Sequence, residues 1–226
     1  MVILLSMETR AAIYSVSKVT GDRYAMKLFY KPGACSLASH IVLHEIGGPF
    51  DIEPVDTLAG RTASGNDYHQ INPKGYVPAL QLDDGQILTE GPAILQYLAD
   101  GAPNATLAPN IGSVARARML EQLTFVSSEL HKAFGPLFQD GSTEAEKSAA
   151  REAVAKKFDH VEASFADGRA AEEPFTIADA YLFVVANWAN FTGIDLTKWP
   201  RLFAFVSRIA ERPTTLAAMR AEGLTQ

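Results

Sequence analysis

Four short stretches of the sequence carry side chains that could do chemistry, and the first contains the single cysteine. Cys35 follows a Pro-Gly turn in "YKPGACSLASH" and stands where a helix is expected to begin. Unpaired backbone N–H groups and the positive end of the helix dipole meet there, and both favour a thiolate. We therefore expect a Cys35 pKa below the ordinary value of about 8.5 and a nucleophilic thiol. The alternative is a small buried side chain without chemistry.

A cysteine without a partner limits the redox chemistry of the chain. Ala38 occupies the position of the second cysteine in a C-x-x-C motif, so an internal dithiol cycle is excluded and any redox step must use an external thiol. An internal disulfide is excluded for the same reason. A chain without disulfides indicates a reducing compartment, and we expect a cytoplasmic location.

The second stretch, "NPKGYVPAL", places a proline at the entrance of a predicted strand. A cis Val77-Pro78 bond there would leave the N–H and C=O groups of Val77 open to an extended, peptide-like ligand. The residues alone favour the simpler interpretation, which is the ordinary proline of an edge strand.

The third stretch, "LTEGPAI", precedes a predicted helix. Glu90 and Gly91 stand before Pro92, which suits the first position of a helix. Backbone N–H groups at such a helix start can bind a carboxylate, and the Glu90 side chain could bind an ammonium group. Alternatively, Glu90 only balances the helix dipole. The sequence leaves both interpretations open.

The fourth stretch, "ELHKAF", contains His131 and Lys132. Neighbours on a helix point about 100° apart, so only one of the two can face a cleft directly. A histidine facing a thiol could act as an acid–base group or as a hydrogen-bond donor. The residues alone favour a solvated His-Lys pair. No metal-ligand spacing, glycine-rich phosphate loop or Ser-His-Asp order appears, so no metal site is expected.

The elements that would position these residues have a βαβ-ββα order in the first half of the chain. The predicted elements are a strand at 26–30, a helix ending at Gly47-Gly48, a strand at 50–57, two strands around an Asp84-Gly85 turn, and a helix ending at Gly101. This order predicts a thioredoxin-like α/β domain.

The second half of the chain is helical in pattern. The predicted helices are a long one from Val114 that Pro136 kinks or ends, one from Ser142 to Gly168, one capped by Thr176 and Asp179, and a last clear one over 199–213. The expected domains are an N-terminal extension over 1–25, expected to be disordered, a thioredoxin-like domain over 26–104, a linker over 105–112 and an all-helical domain over 113–226. Met26 is an alternative start of the native chain.

The composition is that of a soluble globular protein, with 226 residues of which 47% are hydrophobic and 20% charged. A net charge of −6 argues against nucleic acid as the main partner, because phosphate binding needs a basic face. No apolar run approaches the ~18–20 residues that span a bilayer, so no membrane partner is expected.

Together these features resemble the bacterial beta-class glutathione S-transferases from Met26 to about Gly223. The motifs that carry the resemblance, in family order and at family spacing, are "MKLFYKPGACSLASH", "NPKGYVPALQLDDG", "LTEGPAILQYLAD", "ELHKAFGPLF" and "FTIADAYLF". The resemblance implies the glutathione S-transferase fold, which is an N-terminal thioredoxin-like domain followed by a helical one. It also implies glutathione as the co-substrate and a homodimer.

The resemblance also implies roles for individual residues. Cys35 faces the glutathione sulfur and can form a mixed disulfide with it, while His131 and Lys132 line the same cleft from the helical domain. The backbone of Val77, before a cis Pro78, pairs with the cysteinyl part of glutathione. The other glutathione-binding positions are Glu90 and Gly91 for the γ-glutamyl end, Ser128 and Glu129 on the cleft wall, and Thr124, where the family has an asparagine.

Gly60 departs from the family pattern, which often has a lysine there near the glycyl carboxylate. The neighbouring Arg61 is a candidate substitute for that lysine.

The expected function is conjugation of the glutathione thiolate to small hydrophobic electrophiles, a detoxification reaction. Thiol–disulfide exchange through Cys35 is a second expected activity, since an exposed thiol of low pKa suits it. The alternative from another class is a non-catalytic glutathione-binding or regulatory protein on the same fold. A dithiol oxidoreductase is disfavoured by Ala38.

Overall fold

The computed structural model describes residues 26–102, 107–166 and 174–225. The predicted extension over 1–25, part of the predicted linker and the predicted helix end at Gly168 lie outside these residues. The helix before the predicted linker ends at Gly101, and the helix after it begins at Val114. The domain division into 26–104, 105–112 and 113–226 stays a prediction.

A five-stranded mixed sheet organises the first domain. Its strands are β1 (Met26–Tyr30), β2 (Phe50–Asp56), β3 (Arg61–Thr62), β4 (Ala79–Gln81) and β5 (Ile87–Thr89), in the order β3-β2-β1-β4-β5. β1 and β2 are parallel, as a strand–helix–strand connection requires, and the other pairs are antiparallel. The Asp84-Gly85 turn joins β4 to β5 as predicted, with Gly85 at φ 83°.

The short strand β3 was not predicted, because its sequence is polar and lacks a strand pattern. It forms because the chain turns back after β2 at Gly60, whose φ is 64°, and pairs Thr62 with Val55. Only a residue that tolerates positive φ turns the chain so tightly at that point.

Two helices, α1 (Ser36–Ile46) and α2 (Gly91–Gly101), pack against the sheet. Their apolar side chains share one core with β1 and β4, and the fully buried members include Leu28, Ile41, Leu80, Ile94 and Leu98. A one-turn 3₁₀ helix at Tyr68–Gln70 completes a smaller core with Phe29 and Val77. The thioredoxin-like prediction for this domain is confirmed.

The second domain is helical, as predicted. Its described helices are α3 (Val114–Phe125), α4 (His131–Ala133), α5 (Gly135–Phe138), α6 (Glu144–Ala166), α7 (Ile177–Asn187), α8 (Ala189–Thr192), α9 (Pro200–Ala210) and α10 (Pro213–Ala221), with a π turn at Val126–Leu130 and a 3₁₀ turn at Leu196–Lys198. None of the helices in the described ranges is long and apolar enough to cross a membrane.

Two predictions about these helices are wrong. The expected single helix from Val114 is interrupted by the π turn, in which the His131 N–H donates to Val126 O, five residues back. The helix predicted over 199–213 is not the last one. α10 follows it, because Pro213 occupies the first position of a new helix.

α7 is the buried axis of the second domain. Thr176 and Asp179 form the predicted capping box at its start, with a 2.8 Å bond from Thr176 N–H to the Asp179 carboxylate. α1 contacts both α7 and α10, so one apolar core runs from the first domain into the second. The region between the domains at the start of α1, called the cleft below, is therefore framed by packed elements of both domains.

Candidate active site

The thiol of Cys35 lies at the junction of the two domains. Cys35 directly precedes α1, and the turn before it is closed by the Ser36 hydroxyl, which contacts both Lys31 N (3.2 Å) and Lys31 O (3.3 Å). The residue is half-buried, and its Sγ lies 3.5 Å from the carbonyl oxygen of Val77. The thiol and the loop before β4 are thus in contact.

The predicted low pKa of Cys35 is wrong. Burial of the sulfur raises its pKa to about 12, although the N–H groups of Cys35 and Ser36 and the charge of Lys132 act in the opposite direction. The helix start therefore has the expected effect, but desolvation outweighs it because burial penalises the charged form. At neutral pH Cys35 is a thiol that can donate a weak hydrogen bond.

The loop before β4 presents backbone groups to the cleft. The Val77-Pro78 bond is cis, so the interpretation as an ordinary edge-strand proline is wrong. Asn72 Nδ2 (2.6 Å) and the Tyr68 hydroxyl (3.1 Å) both donate to Tyr76 O and fix the loop. In the described residues the Val77 N–H has no hydrogen-bond partner, which leaves it available to an extended ligand.

Glu90 stands at the start of α2 in a strained conformation. Its φ of 72° is unusual for a residue with a side chain, and such strain is typical of functional sites. The carboxylate makes no hydrogen bond to the helix start; it contacts the Lys74 ammonium and accepts a bond from the Tyr76 hydroxyl at 2.7 Å. These two donors lower its pKa and keep it ionised.

Gly91 follows at the first position of α2. A Cβ built there would lie 3.8 Å from Pro78 Cγ, an ordinary contact, so the position has room beside the cis proline. Lys74 and Tyr76 were not predicted as site residues, although both belong to the "NPKGYVPAL" stretch that was singled out.

His131 lies in the second domain, directly after the π turn. Its Nδ1 lies 2.7 Å from the hydroxyl of Tyr181, and its ring packs edge-on against Trp188 with centroids 4.8 Å apart. Burial, with a smaller effect of Lys132, lowers its pKa to about 4. The imidazole is therefore neutral near pH 7, and the predicted solvated His-Lys pair is wrong for His131.

Lys132 is exposed and supplies positive charge to the same neighbourhood. Its charge lowers the pKa values of Cys35, Glu90 and His131, whereas Glu90 raises that of Cys35. The structure thus brings together Cys35, Val77, Pro78, Glu90, Gly91 and Lys132. His131 is linked to them through the Tyr181 hydroxyl, whose pKa is influenced by the charges of Cys35 and Glu90.

Three other predicted positions have different partners. The Ser128 hydroxyl donates to Thr124 O at 2.9 Å, and Glu129 forms an ion pair with Lys157 at 2.5 Å. No hydrogen bond within the described residues joins Thr124, Ser128 or Glu129 to Cys35 or Glu90. Their roles in ligand binding stay predictions.

Gly60 and Arg61 both have neighbours within their own part of the first domain. A Cβ at Gly60 would lie 3.0 Å from the His69 ring, so this ring occupies the space beside Gly60. Arg61 Nη1 donates to Gly65 O at 3.2 Å within its own turn. Whether Arg61 replaces the lysine stays a prediction.

The loop before Cys35 is held by two residues that the sequence did not single out. The Gly33 N–H donates to Glu222 Oε2 at 3.0 Å, and Trp188 Nε1–H donates to Gly33 O at 2.9 Å. Glu222 also pairs with His40 Nδ1 at 2.9 Å, in a place where both side chains are almost completely buried. Only tertiary contacts reveal these partners, since Glu222 lies 189 residues from Gly33.

Comparison with known proteins agrees with this architecture. The family model described as glutathione S-transferase, N-terminal domain, matches residues 33–100, and the one described as glutathione S-transferase, C-terminal domain, matches residues 125–213. A curated relative, glutathione S-transferase GstA of Escherichia coli O157:H7, is 48% identical over 88% of this chain and 100% of its own length.

Solved structures give the same result. The bacterial beta-class glutathione S-transferase of Sphingomonas chungbukensis is 47% identical, with a TM-score of 0.84 over 88% of this chain and 100% of its own. A sphingomonad glutathione S-transferase, solved in complex with glutathione, is 46% identical, with a TM-score of 0.83 and the same coverage.

Proposed function

The chain belongs to the glutathione S-transferase family, and we propose that it transfers the glutathione thiolate to small hydrophobic electrophiles at the Cys35 cleft. The observation that carries this proposal is the juxtaposition of the Val77 backbone, open on its N–H side, with the Cys35 thiol 3.5 Å from its carbonyl. Glutathione, the co-substrate of the family, is an extended tripeptide with a central thiol and suits this arrangement.

Binding follows from the groups around Val77. The cysteinyl backbone of glutathione pairs with Val77 as an added strand would. The ionised Glu90 attracts the γ-glutamyl ammonium, and the Gly91 N–H at the start of α2 donates to the neighbouring carboxylate. The central sulfur then lies between Cys35 and His131.

The protonation states assign the nucleophile. Cys35, with a pKa of about 12, and His131, with a pKa of about 4, are both neutral near pH 7. The Cys35 thiol hydrogen can turn from Val77 O to the glutathione sulfur, and neutral His131 offers a hydrogen when its Nε2 carries one. Lys132 adds positive charge. These three groups stabilise a thiolate on glutathione, whose proton is released to solvent, and this thiolate attacks the electrophile.

Thiol–disulfide exchange through Cys35 is a second candidate activity, supported by the position of the only thiol beside Val77. The Cys35 thiolate would attack a glutathionyl disulfide, forming a Cys35–glutathione disulfide and releasing the other thiolate; a second glutathione would then release oxidised glutathione and restore Cys35. Because burial disfavours the Cys35 thiolate, we expect this activity to be slow at neutral pH and to rise with pH.

The test compares wild type with Cys35→Ala and Cys35→Ser in two assays, conjugation to an electrophilic chloroarene and reduction of a glutathionyl disulfide. We expect both variants to lose exchange. Conjugation should fall about five- to tenfold for alanine, which loses one hydrogen-bond donor, and less for serine, which keeps one. Equal loss in both assays would contradict the separate roles, and tight glutathione binding without any turnover would instead support a non-catalytic binding protein.

We further propose a homodimer in a reducing, cytoplasmic compartment. The support for the dimer is membership of the family and the surface of α3. An open groove between α3 and α6 is lined by Phe125, Ala153, Lys157 and His160, and Val114 at the start of α3 is exposed. The support for the compartment is the need for reduced glutathione and a reduced Cys35. Sedimentation velocity tests the dimer, and a monomer at micromolar concentration would refute it.

A further inference from the structure

The role of His131 depends on which ring nitrogen carries the hydrogen. A neutral imidazole has one N–H donor and one acceptor nitrogen, and the hydrogen bond made by one nitrogen selects the state of the other. Nδ1 is engaged by the Tyr181 hydroxyl at 2.7 Å. The direction of this one bond therefore decides whether His131 offers a hydrogen or a lone pair from Nε2.

The surroundings of Tyr181 select the direction. Tyr181 lies on α7 and is 4% exposed, and His131 is the one hydrogen-bond partner of its hydroxyl within the described residues. If the hydroxyl accepted a hydrogen from Nδ1, its own hydrogen would remain buried without an acceptor, which is unfavourable. If it donates to Nδ1, both the hydrogen and the ring nitrogen are satisfied.

We propose that Tyr181 is a positioning residue that holds His131 in the tautomer with hydrogen on Nε2. The ring then offers an N–H donor from Nε2, the nitrogen that Tyr181 does not engage. The inference that this N–H binds a glutathione sulfur rests on the proposed function. The assignment of the tautomer does not.

Neighbouring groups keep the arrangement fixed near neutral pH. Trp188 packs edge-on against the His131 ring and is itself tied to Gly33 O at 2.9 Å, which restricts the ring plane. The titratable groups that influence the pair are Lys132, next to His131, and Cys35 and Glu90 across the cleft. Burial lowers the pKa of His131 and raises that of Tyr181, so neither group titrates near pH 7.

The direct test is a ¹⁵N–¹H correlation spectrum of the histidine side chains at pH 7, in which protonated and unprotonated ring nitrogens have distinct shifts. His131→Gln assigns the signals of His131 among the five histidines. We expect hydrogen on Nε2 and none on Nδ1. Hydrogen on Nδ1 would overturn the proposal, and the result needs neither glutathione nor activity.

The second test uses Tyr181→Phe, which keeps the ring and removes the hydroxyl, with Tyr97→Phe on α2 as the matched control. We expect the Nδ1 signal to shift in Tyr181→Phe and to stay in the control. In conjugation assays Tyr181→Phe should lower kcat/KM roughly fivefold in the wild-type protein. In a protein that already carries His131→Gln, the same substitution should lower kcat/KM by less than about twofold. Full additivity of the two losses would show that Tyr181 does not act through His131. Should Tyr181→Phe fail to fold, the wild-type spectrum alone decides the question.

Discussion

Removal of the Glu222 carboxylate should loosen the loop that positions Cys35. The side chain of Glu222 is fully buried; one oxygen accepts the Gly33 N–H at 3.0 Å and the other pairs with His40 Nδ1 at 2.9 Å. Glu222→Ala leaves the buried His40 ring nitrogen and the part-buried Gly33 N–H without this partner. A buried polar group that is left without its partner costs about 1–3 kcal/mol, so we expect a loss of about 2–4 kcal/mol for the two groups together. Glu222→Gln keeps the shape and an acceptor for Gly33, so we expect a loss of about 1–2 kcal/mol.

The assay is urea unfolding at pH 7, together with the KM for glutathione. Because Gly33 lies two residues before Cys35, the stability loss should be accompanied by a severalfold rise in KM that is larger for Glu222→Ala than for Glu222→Gln. Glu211→Ala, at the end of the neighbouring α9, is the matched control and should change neither quantity. A Glu222→Ala protein within 1 kcal/mol of wild type would refute the reasoning.

Three further predictions have defined outcomes. In the folded chain the pKa of His131 is lowered to about 4 from its ordinary value near 6.5, so the unfolded chain binds this proton first as the pH falls. The free energy of unfolding should therefore decrease by up to about 3 kcal/mol between pH 6.5 and pH 4. His131→Gln should reduce this decrease in urea titrations. Gly91→Ala should unfold at nearly the wild-type urea concentration. Gly75→Ala should lower the free energy of unfolding by more than about 1 kcal/mol, because Gly75 has φ 76° and a Cβ there would lie 2.8 Å from His69. Equal unfolding midpoints for the two variants would contradict this. Trp188→Phe removes the donor to Gly33 O and should raise the KM for glutathione a few fold, and an unchanged KM would exclude a role of that bond in placing the loop.

Local sequence patterns were sufficient for the elements that build the cleft. Turn residues and apolar spacing located β1, α1, the Asp84-Gly85 hairpin and the Thr176 cap, because each depends on neighbours within a few residues. The "NPKGYVPAL" and "LTEGPAI" stretches likewise located the cis-proline loop and the start of α2.

The remaining features depend on contacts that sequence spacing does not encode. The π turn before His131 has no residue signature of its own, and the partners Tyr181 and Glu222 lie 50 and 182 residues from His131 and His40. The pKa of Cys35 was predicted with the wrong sign, because the helix start is visible in the sequence whereas the desolvation that outweighs it is a property of the packed interior.

The central claim is that Cys35 is a thiol at neutral pH, so that glutathione supplies the nucleophile. The pH dependence of alkylation by iodoacetamide tests it directly, because Cys35 is the only cysteine of the chain. With a pKa of about 12, the rate should rise tenfold per pH unit from pH 7 to at least pH 10, while the chain unfolded in urea should level off just above its ordinary pKa of about 8.5. A folded-state rate that levels off near pH 7 would contradict the account.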